Sequence, residues 1–357
     1  MSTPTDTALA DTLLVVASGI FLVALAYGRA REHAAFASPL FWTGEILMFA
    51  FVVHRVLCRG TSGATREALV VLYAGAQYMI RWAYSPDMFR YSDELQHLRS
   101  LLNVLGTHHL FEPNFSLPIS PLYPGMENAA AEIAQVGQVP PFGAGLIVAG
   151  LSHLLLAGSL IIFSREVSRS SRVACLGALI YALNPNAQFF DSSFHYEAVA
   201  LPFLVLGLFF AVRFAKCKRG AAWNYAGCVT CLFVVVITHH LTAIAAVVLL
   251  AILGIISMMF AGGVGIGLRL ILCGISTGTA VVGWIYFIAP ITTEYLAGAV
   301  RGLLDGLITL GQVSGKSAIP ASQAAPLDRA LSLSGAVTTV ILLLIGAWLL
   351  RTREPIQ

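Results

Sequence analysis

The chain has 357 residues, 57% of them hydrophobic and 11% charged, with a mean hydropathy of +0.80. Soluble domains carry roughly a quarter of charged residues, so this composition excludes an ordinary soluble protein. A net charge of +3 without a basic tract offers no nucleic-acid surface. The apolar runs are continuous rather than alternating, which selects helices over a barrel.

The first run covers Ala8 to Tyr27. Its start carries Asp6 and Asp11 and no Lys or Arg, the wrong charge for a signal peptide, so it reads as a retained span. Nine further runs follow, at about 38–57, 67–83, 143–163, 173–190, 198–214, 222–238, 242–260, 268–289 and 332–350. The sequence therefore predicts an all-α integral membrane protein of about ten transmembrane helices. It divides into two N-terminal spans (1–66), a core (67–290) and a last segment (291–357).

Basic residues set the orientation. Arg55, Arg59 and Arg66, then Arg165, Arg169 and Arg172, then Arg213, Lys216, Lys218 and Arg219, then Arg269, and finally Arg351 and Arg353 fall on one set of alternate connections. On the other side, only the short loop with Arg29 and Arg31 is basic. This bias predicts cytoplasmic termini in a cell membrane, inner or plasma. The six cysteines fall in spans or near their cytoplasmic ends, so no disulfide framework is expected, and Cys228–Cys231 reads as packing.

Two outer segments are long. Residues 84–142 are too rich in Leu, Phe, Tyr and Pro for a linker. Within them, 92–105 reads as an amphipathic helix. Leu95, Leu98, Leu101, Leu102 and Leu105 share one arc; Asp93, Gln96, His97, Ser100 and Asn103 share the other. The leucines are expected to lie down in the membrane interface. After the Pro-rich stretch 118–125, Met126–Val136 reads as a second short helix. In 290–331, Glu294, Arg301 and Asp305 argue against a full crossing and for an interfacial or re-entrant helix.

Three clusters of ionisable residues lie an odd number of crossings from the N-terminus, so all should emerge on one face. Asp93 and His97 stand one helical turn apart beside Glu94, a spacing that suits a carboxylate base facing a substrate. Equally, first-turn acids are favoured by the helix dipole, and Ser92 would make a good N-cap. Asp191, His195 and Glu197 crowd a turn between two spans, costly unless paired or used. His239 and His240 join two runs; one could bind phosphate while the other packs. Arg81 and Arg90 flank the outer end of the third span and suit a headgroup-level phosphate or, equally, anchoring. Glu45 and His153, inside spans, read as interhelical hydrogen-bond partners. Gly311–Ser317 is one residue short of a P-loop, and the glycine-rich 262–267 reads as a flexible connection.

Tyr91-Ser-Asp93-Glu94-Leu-Gln-His97, followed by Pro121-Leu-Tyr123-Pro-Gly, resembles the first outer loop of GT-C membrane glycosyltransferases. These include protein O-mannosyltransferases and lipid A aminoarabinose transferases. The stretches Phe189–Pro202 and Thr238-His-His-Leu-Thr242 are similar to segments of bacterial and archaeal members, and the likeness covers about 67–290. It implies transfer of a sugar from a polyprenyl-phosphate donor to a glycan, lipid or protein acceptor on the non-cytoplasmic face. Asp93 matches the family's first-loop acid, the base for the acceptor hydroxyl, with Glu94 its neighbour or substitute. His97, Arg81, Arg90, Asp191, His195, Glu197, His239 and His240 are then expected around substrate and phosphate. No cofactor is required, and a divalent cation is compatible. Here the loop follows the third span, whereas the family places it after the first. Two other classes fit the residues: a flippase or transporter of a lipid-linked or anionic solute, and a polysaccharide polymerase or ligase. Transporters place polar groups near the midplane, and these cluster at one interface.

Overall fold

The computed structural model describes residues 4–184, 190–217, 219–261, 263–298 and 301–302, with isolated positions 334, 337, 338 and 341. Among the described residues it is all-helical. The helices are α1 (Pro4–Arg31), α2 (Ala37–Leu57), α3 (Gly63–Tyr84), α4 (Ser92–Thr107), α5 (Gly125–Gly137), α6 (Pro141–Ser168), α7 (Ser171–Ala182), α8 (Tyr196–Lys216), α9 (Ala221–Thr238), α10 (His240–Ile256) and α11 (Val264–Phe287). A single 3₁₀ turn, Ser120–Leu122, precedes α5.

Seven of these are long and apolar enough to cross a membrane: α1, α2, α6, α8, α9, α10 and α11. The chain is thus a multi-pass α-helical membrane protein. The third expected span is a 22-residue helix, α3, but its mean hydropathy falls short because Arg66, Gln77 and Arg81 lie along it, all buried. The fifth shortens to the 12 residues of α7. The tenth, 332–350, lies outside the described residues apart from isolated positions, as do Asp305 and the 311–317 stretch.

The apolar faces make two bundles. One joins α1, α2, α3 and α7 around Met48, Val52, Leu69 and Leu179. The other joins α8 to α11 around Leu204, Leu232, Val235 and Leu250. Helix α6 bridges them, touching α3 and α7 on one side and α8 on the other. Buried polar groups are satisfied by specific pairs. Gln77 donates to Glu45 at 2.8 Å, tying α3 to α2, and Arg66 donates to the carbonyls of Val56 and Cys58 at the end of α2. An arginine there meets carbonyls that the helix itself leaves unpaired.

The glycine-rich stretch 262–267 differs from its expectation. Gly263, at φ 81°, starts α11, and Gly267 lies within it. A Cβ at Gly267 would come 2.6 Å from the Gly254 carbonyl oxygen, so this glycine lets α10 and α11 approach.

Helices α4 and α5 close one end of the molecule. Leu101, Met126 and Ala130 form a core there with Phe89, Val148, Phe194 and Val199. The inward face of α4 carries polar side chains together with Leu101. Glu94, His97, Ser100 and Leu101 are buried, whereas Leu95 and Leu102 stand 45% and 49% exposed. Hydrogen-bond partners hold the polar ones: Asn114 binds the Gln96 carbonyl and Ser100, and Glu127 takes His97. Its N-cap is Tyr91, one residue ahead of the expected Ser92.

Candidate functional site

The site forms where the α4–α5 cap meets the ends of the spanning helices. Arg81, in the last turn of α3, donates to Glu94 Oε1 at 2.6 Å; the two are 9% and 1% exposed. Arg81 Nε also reaches Ser193 Oγ at 3.2 Å, and its guanidinium lies 4.8 Å from the centre of the Tyr91 ring. Glu94 further accepts the N–H groups of Arg90, Tyr91 and Phe194, each at 3.3 Å. With both oxygens engaged, Glu94 holds the start of α4 to the 192–195 segment and is not open to a ligand. Its neighbour Asp93 is exposed, with only the Ser92 hydroxyl on it at 3.3 Å, and its charge reaches His195. Arg90 is exposed too, over the Tyr84 ring, and makes no ion pair among the described residues.

One turn along α4, His97 Nδ1 lies 2.7 Å from Glu127 Oε1, and Ser120 Oγ binds both at 3.2 and 3.1 Å. All three residues are buried. A carboxylate can only accept, so Nδ1 carries the hydrogen in this pair, which leaves Nε2 the lone pair in the neutral ring. Glu127 has no counterpart among the residues singled out by sequence. It sits in the first turn of α5, where an acid is unremarkable on helix-dipole grounds, and its partner is 30 residues away.

From His97 the aromatic and imidazole rings run on continuously. Tyr196, the first residue of α8, lies 4.5 Å from His97 and 4.5 Å from His239, centre to centre. His195 is 6.2 Å from His97, and His240 is 5.2 Å from both His239 and Tyr123. His239 Nδ1 bonds the Thr242 hydroxyl at 2.7 Å. Tyr123 and the Trp284 indole fasten the Pro-rich loop to the end of α11 and beyond: Tyr123 to Thr292 at 3.0 Å, Trp284 to the Leu122 carbonyl at 3.0 Å. Residues 97, 195, 239 and 240, spread over about half the chain, thus meet at one end of the bundle.

Burial governs their charge. Desolvation, helped by repulsion from His97, lowers the pKa of His195 to about 4 although the Glu94 and Asp93 charges work against it. Desolvation and the neighbouring His240 and His97 bring His239 down to about 3. Both rings are neutral near pH 7.

Asp191 and Glu197 go elsewhere. Asp191 accepts from the Tyr181 hydroxyl at 2.5 Å, while its backbone carbonyl accepts from His153 at 3.3 Å. Burial, with Glu197 adding repulsion, raises the Asp191 pKa to about 7 against the opposing Tyr181 bond. Tyr181 and His153 also line a small, largely apolar cavity of about 40 Å³ between α3, α6 and α7. The turn 191–197 thus divides: His195 faces the imidazole cluster, Asp191 the α6–α7 side. Among the described residues, no group of three His, Cys, Asp or Glu side chains is arranged to hold a metal ion.

Compared with models of known protein families and with curated proteins, the chain matches none. Fold and site together define a multi-pass membrane protein with a buried imidazole–carboxylate cluster at one end of its bundle.

Proposed function

We propose that the protein is a membrane glycosyltransferase of GT-C type, using a polyprenyl-phosphate sugar as donor. The observation that carries this reading is convergence. Side chains from α3, α4, α5, the 192–195 segment and the α9–α10 junction gather at one end, with one carboxylate, Asp93, exposed at the edge. Such a cluster at a headgroup-level interface suits a donor whose phosphate stays at the membrane surface and whose chain lies among helices. The proposed topology keeps ten spans, cytoplasmic termini and a site facing outward.

In the reaction, the acceptor hydroxyl oxygen bonds to the anomeric carbon as the bond from that carbon to phosphate oxygen breaks. Asp93 takes the hydroxyl proton, and polyprenyl phosphate leaves with the bonding pair. Arg90, a cation free of carboxylates among the described residues, is placed to meet the phosphate, where a guanidinium offers two parallel hydrogen bonds. Glu94 and Arg81 hold the loop in position.

The test is transfer from radiolabelled polyprenyl-phosphate sugars in proteoliposomes. Asp93→Asn should abolish transfer while insertion and unfolding temperature stay at wild-type values. Wild-type turnover by that variant removes Asp93 from the mechanism. Solute uptake without any glycosyl product would instead favour a carrier.

A further inference from the structure

The inner cluster contains polar atoms that the fold does not satisfy. Both ring nitrogens of His195, both of His240, and Oε2 of Glu127 are buried without a hydrogen-bond partner among the described residues. His195 is 6% exposed, His240 2% and Glu127 1%. Buried polar groups are nearly always paired, so orphans from three separate elements, around one tyrosine, point to an occupant.

Their chemistry selects what that occupant is. A neutral imidazole offers one N–H and one lone pair, and a carboxylate oxygen only accepts. The diester phosphate of a lipid-linked sugar also only accepts, and it carries negative charge. It would face the two imidazole lone pairs and the Glu127 carboxylate with nothing to donate. The buried guanidinium that could offset its charge, Arg81, is already neutralised by Glu94 at 2.6 Å. A hydroxyl group both donates and accepts, so neighbouring hydroxyls on one ring can match all three residues. Tyr196, between His97 and His239, and Tyr123, beside His240, add aromatic surfaces for the C–H faces of such a ring.

We propose that His195, His240 and Glu127 form a binding site for a sugar ring, hydrogen-bonding its hydroxyl groups around Tyr196. The donor phosphate is held outside this site, towards Arg90. This deepens the transferase reading and rests on it for the ligand being the transferred glycosyl group. Binding itself is measured without turnover.

The experiment uses the full chain, labelled with ¹⁵N-histidine, in phosphatidylcholine nanodiscs. A panel of methyl hexosides and pentosides is titrated in, with inorganic phosphate as a separate arm. The imidazole resonances are assigned through His195→Phe and His240→Phe. At least one glycoside should shift both sets of resonances, and phosphate should shift neither. Each Phe variant should weaken glycoside binding by about tenfold, the effect of one hydrogen bond lost from a buried site. Both variants should unfold no earlier than wild type, because they remove orphaned polar atoms. Should either fail to fold, the corresponding Gln variant, which retains a donor and an acceptor, takes its place and should bind more weakly than wild type.

Phosphate shifting these resonances while no glycoside does would overturn the proposal in favour of an anion site. No shift by any glycoside would overturn it in favour of trapped water. Glycoside binding without transfer from any polyprenyl-phosphate sugar would sustain the site and reject the transferase reading.

Discussion

The Arg81–Glu94 pair gives the sharpest test of how the site is held. Glu94→Gln keeps the shape of the side chain but strips the charge that faces a buried guanidinium. With charge centres about 4 Å apart and an effective dielectric near 20, the lost attraction is roughly 4 kcal/mol. That agrees with the 3–5 kcal/mol typical of removing one member of a buried pair. The amide also loses acceptor capacity towards the N–H groups of Arg90, Tyr91 and Phe194. Unfolding followed in detergent or bicelles should therefore show a loss of about 3–5 kcal/mol for Glu94→Gln. The double variant Arg81→Met with Glu94→Gln should recover most of it, since no unpaired charge remains. A near-neutral Glu94→Gln, or a double variant as unstable as the sum of the singles, would refute the clamp. Glu94 would then be free for chemistry.

The pH dependence divides by group. Asp191, with its folded pKa raised from 3.8 to about 7, keeps a proton that the unfolded chain releases, so its contribution makes stability fall as pH rises between those values. His195 and His239, lowered from 6.5 to about 4 and about 3, work the other way, and their contribution is lost as pH falls below 6.5. His240 is lowered likewise, to about 4, so between pH 4 and 6.5 three imidazole protons outweigh the one of Asp191, a net rise of about 2.7 kcal/mol per pH unit. Asp191→Asn should steepen that slope by about half and be more stable than wild type above pH 7; an unchanged slope in urea titrations at stepped pH would reject the assignment. Glu127→Leu leaves His97 Nδ1 and Ser120 Oγ without their acceptor and should cost roughly 2–4 kcal/mol, and Glu127→Gln less, in the same unfolding assay. A Cβ at Gly125 would stand 2.2 Å from Thr238 Oγ1, so Gly125→Ala should lose about 1–3 kcal/mol, partly regained with Thr238→Ala. Equal losses in the single and double variants would show that the α5–α9 approach is not what Gly125 permits.

What the sequence revealed follows from the range of each interaction. Long apolar runs carry their own signal, so α1, α2, α6 and α8 to α11 are legible within a few residues. Helix α3 is less so, because Gln77 and Arg81 pair with residues of other elements and dilute its hydropathy. The gathering of His97, His195, His239 and His240 could be anticipated from counting crossings. Their partners could not. Glu127 is indistinguishable from a dipole-favoured first-turn acid until His97 is brought beside it, and the polar side chains buried on α4 find their partners, Asn114 and Glu127, far along the chain. Glu45 makes the interhelical bond expected of it, whereas His153 bonds a loop carbonyl, that of Asp191, in place of another helix.

The charge at the end of α3 serves the segment that follows α7. Twelve residues rise about 18 Å, against roughly 30 Å of hydrocarbon, so α7 alone does not cross a bilayer. Residues 190–195 run irregularly and 191–195 are buried, so their polar groups need partners within the protein. Glu94 supplies an acceptor to the Phe194 N–H, Arg81 a donor to Ser193, and His153 a donor to the Asp191 carbonyl. A neutral residue at 81 or 94 could meet one of these needs but not hold the other in place. The ion pair thus fixes the segment that delivers His195 to the cluster, and the site's geometry depends on it.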